Sequence, residues 1–139
     1  MRNMKIGVLR LAVCGVLPAL VWFGAVGTSL AQSTTQVAPL EIKASPDVYR
    51  EIAGNDQYRM VEAVWKPGQR DAFHSHPKQM YYWVTACSLR AYLPDGTTRI
   101  IEVSAGQAGV QDPIPSHSVE NLGTSECRGV LFEPREPTQ

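Results

Sequence analysis

Two of the three histidines in this 139-residue chain stand one residue apart, in the stretch GQRDAFHSHPKQM from Gly68 to Met80. The third, His117, opens the short run HSVEN. Side chains at i and i+2 share one face of a β-strand. An extended FHSH therefore makes His74 and His76 neighbours, with Pro77 bending the chain after them. Two imidazoles on one face can grip a single metal ion, each giving one nitrogen at ~2.0–2.1 Å. On a facing strand His117 completes a three-imidazole set, which leaves open positions on Fe, Mn, Ni, Cu or Zn for water or a small molecule. The bland alternative is three packed or exposed histidines with no shared role. Other chemistry finds no support. Ser75 has no acid to complete a triad and there is no G-x-S-x-G. No Gly-rich phosphate loop occurs, and the carboxylates are scattered rather than paired for glycoside hydrolysis.

The segments that must position these histidines read as strands. QYRMVEAVW (Gln57 to Trp65) stops at Lys66-Pro67-Gly68, and MYYWVTA (Met80 to Ala86) follows the His-x-His. SLRAYL (Ser88 to Leu93) and TTRIIEV (Thr97 to Val103) flank Pro94-Asp95-Gly96, a strong short hairpin signal. A Pro-rich bend, DPIPS, precedes His117, and CRGVLFE (Cys127 to Glu133) closes the series. About seven short strands with Gly/Pro punctuation predict an all-β sandwich or barrel. The boundaries expected are 1–31 signal peptide, 32–40 linker, 41–135 barrel and 136–139 tail.

The first segment is an address. Arg2, Lys5 and Arg10 precede the apolar run Leu11 to Gly27, and Ser29 and Ala31 form a small-x-small site. That is the pattern of a secretory signal peptide cleaved after Ala31. The rival, a membrane anchor, is opposed by Pro18 and the glycines inside a run just short of the ~18–20 residues a span needs. A periplasmic or secreted protein follows, with no stable membrane anchor once the signal is removed. Cleavage takes three of the 13 basic residues and none of the 13 acidic ones, leaving net −3 with neutral histidines. With no basic cluster, nucleic acid is excluded as the expected partner. Cys87 and Cys127 remain, and in an exported chain they read either as a disulfide or as two buried thiols.

The two histidine segments resemble the paired motifs of the cupin superfamily. The first motif is Gly, five residues, His-x-His, three or four residues, Glu, six residues, Gly. Gly68, His74 and His76 match it, while Met80 stands at the Glu position and Cys87 at the second Gly. The second is Gly, five residues, Pro-x-Gly-x-x-His, three residues, Asn. Gly106, His117 and Asn121 keep its spacing, with Asp112 and Ile114 replacing the Pro and Gly. The resemblance covers Gly68 to Asn121. It implies a single-domain cupin β-barrel or jelly roll with a divalent transition metal, Fe(II) first and Mn, Ni, Cu or Zn as alternatives, held by His74, His76 and His117.

Of the two residues near the missing Glu, Gln79 and Met80, strand parity selects Met80 to face inward. Tyr82 and Val84 then share its face, and Tyr81 and Trp83 point outward, where they could cover a second subunit in a homodimer. Met80, Tyr82 and Asn121 are the pocket candidates, although Asn121 also suits a turn. Tyr82 and Arg90 are the candidates for touching a substrate, against core filling and solvation respectively. Like the three-His cupin dioxygenases that cleave thiols or diketones, such a site implies oxidative cleavage or isomerisation of a small polar or anionic molecule. The alternatives are a non-catalytic cupin that binds or senses a small ligand, and a barrel used for oligomer contacts with an empty site.

Overall fold

The computed structural model describes residues 37–135. The expected signal peptide and C-terminal tail lie outside the described residues. One helical turn, α1 (Glu41–Ala44), precedes nine strands: β1 (Tyr49–Gly54), β2 (Tyr58–Trp65), β3 (His74–His76), β4 (Gln79–Trp83), β5 (Cys87–Tyr92), β6 (Thr98–Val103), β7 (Ala108–Gln111), β8 (Ile114–Asn121) and β9 (Cys127–Pro134). They form two antiparallel sheets, β1-β2-β9-β4-β7 and β3-β8-β5-β6. This is the all-β architecture that the short, Gly/Pro-punctuated runs predict, in the jelly-roll form that the resemblance implies. Among the described residues no helix is long and apolar enough to cross a membrane.

Period-two alternation decides which side chains are enclosed. On β2 it buries Val61, Ala63 and Trp65; on β5, Cys87, Leu89 and Ala91; on β9, Cys127 and Leu131. Tyr49, Val103 and Val119 complete the core between the sheets. Emptying such a position, as in Leu89→Ala, costs about 2–5 kcal/mol. The β5–β6 hairpin turns where Asp95-Gly96 predicts: Gly96 has φ +83°, and Asp95 Oδ1 accepts the Thr97 N–H at 2.9 Å. Cys87 and Cys127 are joined as a disulfide, Sγ to Sγ 2.07 Å, tying the start of β5 to the start of β9.

Three features depart from the expectations. Val37 to Leu40 do not form a free linker. Ser75 N–H donates to Pro39 O at 2.9 Å, and Ala38 N–H donates to Pro115 O at 3.0 Å, so this segment is laid against β3 and β8. Strands β1 and β7 were not expected. Both are edge strands whose side chains are nearly all exposed, so neither carries an alternating apolar signal. Finally, β4 starts at Gln79 and encloses Gln79, Tyr81 and Trp83, while Met80, Tyr82 and Val84 are exposed. Its inward and outward faces are therefore the reverse of those expected.

Candidate metal centre

Strand pairing brings the three histidines together. His74 and His117 lie opposite each other across β3 and β8, and His76 pairs with Ile114. Two steps on β3 thus match three on β8, a β-bulge of the kind that re-aims side chains near a site. The ring centroids are 4.7 Å (His74–His76), 4.5 Å (His74–His117) and 5.3 Å (His76–His117) apart. One nitrogen from each lies within 4.8 Å of the others.

The outer nitrogens are fixed by partners. His74 Nδ1 is 2.8 Å from the Ala72 carbonyl, which can only accept, so this nitrogen carries the proton. His76 Nδ1 is 3.0 Å from Glu133 Oε1. Burial raises Glu133, but its Oε2 accepts Arg59 Nη2–H at 2.6 Å and Nε–H at 3.0 Å, two charge-assisted bonds that only the carboxylate makes in full, so His76 Nδ1–H donates to Oε1. Both Nε2 atoms are then bare, and they face each other at 2.9 Å. Tyr49 brings no proton between them. Its hydroxyl is 3.1 Å from His74 Nε2 but donates to Asp71 Oδ2 at 2.9 Å. His117 Nε2 is buried and has no hydrogen-bond partner among the described residues.

The bare Nε2 lone pairs of His74 and His76 repel in the absence of a cation and are satisfied by one, and a nitrogen of His117 lies within 4.8 Å to join them. Two nitrogens each ~2.1 Å from an ion, at right angles, would be about 3 Å apart, close to the 2.9 Å observed. The donor set therefore fits a divalent metal, and the carbonyl and carboxylate behind His74 and His76 are the usual devices that hold a ligand tautomer.

Burial shapes the electrostatics. His76 is pushed down to about 3, by burial first, then by the positive charge that His74 would carry on protonation and by that of Arg59. His117 is pushed down to about 2, by burial and then by His74 and His76. Behind His76, Glu41 and Glu133 both hold Arg59, with Glu41 Oε1 at 2.7 Å. Burial, with Glu133 second, raises Glu41 to about 7. Behind His74, Asp71 is raised by burial while accepting hydrogen bonds from Tyr49, Trp65 Nε1 (3.0 Å) and Val119 N (2.6 Å).

The remaining site expectations need correction. Met80 and Tyr82 lie on the outer face of the five-stranded sheet, 50% and 49% exposed, because Met80 pairs with Phe132 and Val110 on that face. The side chain facing inward near the trio is Gln79, whose Oε1 is buried without a partner. Arg90 lies outside the cavity: its Nη1 is 3.5 Å from Glu120 Oε2 and from the Tyr92 hydroxyl. Asn121 is buried but works as a turn residue. Its Nδ2 donates to Trp65 O at 3.1 Å and Ser125 O at 2.8 Å, and its Oδ1 accepts Gly123 N–H at 2.9 Å.

Glu133, Arg59, Glu41, Asp71 and Tyr49 escaped the sequence reading. Only Glu133 left a trace, as an acid in phase with Cys127 and Leu131 on the enclosed face of β9.

No family model matches the chain, and no curated protein matches it. Solved structures do. A cupin domain from Bordetella pertussis Tohama I superposes with a TM-score of 0.59 at 19% identity, over 64% of this chain and 93% of that one. The polyketide cyclase RemF from Streptomyces resistomycificus superposes with a TM-score of 0.52 at 23% identity, over 71% and 75%. Taken with the two antiparallel sheets, these superpositions show that the described residues adopt the cupin-type β-barrel fold.

Proposed function

We propose that this chain is an exported, metal-binding cupin that carries out metal-dependent oxidation or isomerisation of a small molecule, polar or anionic at the end that meets the ion. The observation that carries the metal reading is the pair of bare Nε2 atoms of His74 and His76, their Nδ1 protons already engaged, with a nitrogen of His117 within 4.8 Å of them. A divalent transition metal, Fe(II) first, held there supplies a Lewis-acid or redox centre with open positions. The protein's own share is to fix the imidazoles through Ala72 O and Glu133 and to enclose the ligand in the neighbouring cavity. Export is supported by the basic, apolar and small-x-small order of residues 1–31 and by the Cys87–Cys127 disulfide, a bond that persists in oxidising compartments. A homodimer belongs to the same proposal. Met60, Phe132, Met80 and Val110 form one cross-strand apolar row on the outer face, and a second copy would cover it.

One observation favours a second reading, a binding or sensing module without turnover. Tyr82 and Arg90 lie outside the cavity, and Glu102 is the one carboxylate among its lining. The test is metal content of protein purified without added metal, together with oxygen uptake on thiols and diketones and product analysis for isomerisation. Stoichiometric metal, held with at least tenfold lower affinity in His117→Ala, together with turnover, is the expected result. Metal with ligand binding but no turnover selects the second reading, and absence of metal from correctly folded protein overturns both.

A further inference from the structure

The cavity beside the histidines carries information about the ligand. It encloses about 210 Å³ and runs from His76 and His117 toward the edge strands β6 and β7. An apolar cavity of about 150 Å³ is enough for benzene, so this one has room for a single substituted ring. Its walls are aromatic: Trp65, Tyr81 and Trp83 line it. Two glycines make that possible. A Cβ on Gly109 would come 2.5 Å from the Tyr81 hydroxyl oxygen, and one on Gly129 would come 3.1 Å from the Trp83 ring. Each glycine faces its aromatic partner across a strand pair, so the ring can lie over bare backbone.

The polar groups are equally selective. Among the described residues no lysine or arginine lines the cavity, and the half-buried Arg59 behind His76 is engaged by Glu41 and Glu133. Gln79 Oε1 is an acceptor buried without a donor, and leaving such a group unpaired is costly.

We infer that the ligand is a neutral, single-ring molecule carrying a hydroxyl or N–H that donates to Gln79, rather than a carboxylate or phosphate gripped by a protein cation. This deepens the proposed function and rests on it only for placing the polar end on the histidine side of the cavity.

The experiment compares 4-methylphenol, toluene and benzoate by tryptophan-fluorescence quenching and calorimetry at neutral pH, on zinc-loaded and on chelator-treated protein. Saturable binding of the phenol is expected, at least fivefold tighter than toluene and tenfold tighter than benzoate. Gln79→Leu should erase the advantage of phenol over toluene. Ile101→Trp, at a position 39% exposed beside the mouth, should block all three without disturbing the core. Circular dichroism confirms that each variant is folded. Benzoate binding as tightly as the phenol, or no saturable phenol binding to either form, overturns the inference. Phenol binding to chelator-treated protein that then takes up no zinc when it is offered keeps the ligand class while removing the metal reading, so the two failures are distinguishable.

Discussion

Replacing Glu133 with Gln preserves its shape and removes its charge, which isolates what the carboxylate does for His76. Glu133 Oε1 accepts from His76 Nδ1 at 3.0 Å, and Oε2 accepts twice from Arg59. An amide can serve only one side. With its oxygen toward His76, its NH2 meets the Arg59 guanidinium, donor against donor. With its oxygen toward Arg59, its NH2 asks His76 Nδ1 to accept. That moves the imidazole proton to Nε2, where it points at His74 Nε2 and blocks the ligand position. Loss of such a supporting partner weakens metal binding by about 10–100-fold, which is ~1.4–2.7 kcal/mol. Zinc titration against a competing chelator indicator measures this directly, with Glu62→Gln as the control. Glu62 pairs with Arg50 and Arg128 on the outside of the sheet, so the control should leave affinity unchanged. A folded Glu133→Gln protein that binds zinc within twofold of the original would refute the positioning role.

Further outcomes follow from the same geometry. In metal-free protein, burial first and neighbouring charges second hold His76 at about 3 and His117 at about 2, against 6.5 for an unfolded histidine. Unfolding therefore takes up protons below about pH 6.5, and stability falls with acid at roughly 1.4 kcal/mol per pH unit for each ring. Glu41, raised to about 7 from 4.5, works the other way, gaining stability as pH falls between those values. Glu41→Gln should steepen the acid decline by up to about 1.4 kcal/mol per pH unit; urea melts across that range giving an unchanged slope would contradict it. Cys127→Ser opens a link between residues 40 apart and should cost about 2–4 kcal/mol in the same assay, while a loss under about 1 kcal/mol would show that the bond adds little. Met80→Lys puts a charge into the exposed apolar row and should convert a homodimer to monomer in sedimentation velocity; a dimer of unchanged affinity would place the interface elsewhere.

The histidines were legible because i, i+2 spacing on a strand translates directly into shared facing, and because Asp95-Gly96 and the Pro/Gly breaks delimit the strands that carry them. Facing failed on β4. MYYWV is apolar and aromatic on both faces, so no alternation marks the inside, and counting from the His-x-His motif selected Met80. The chain instead turns at Pro77-Lys78 and starts β4 at Gln79, which brings Gln79, Tyr81 and Trp83 inward. Edge strands β1 and β7 were silent for a related reason: exposed strands need no buried stripe. The groups behind the histidines were illegible in a stronger sense. Glu41, Arg59 and Glu133 meet only because α1, β2 and β9 are brought side by side by the fold, and nothing local in their sequence couples them. Asp71 sits three residues before His74 in a stretch without regular structure, where no periodicity tells buried from exposed.

The most direct test is X-ray absorption at the edge of the metal that copurifies with the full chain. The structure predicts one ion per chain with a scattering signature of three imidazoles at ~2.0–2.1 Å, reduced to two in His117→Ala. One imidazole or none in the original protein, or a spectrum that the substitution leaves unchanged, would contradict a centre built from His74, His76 and His117.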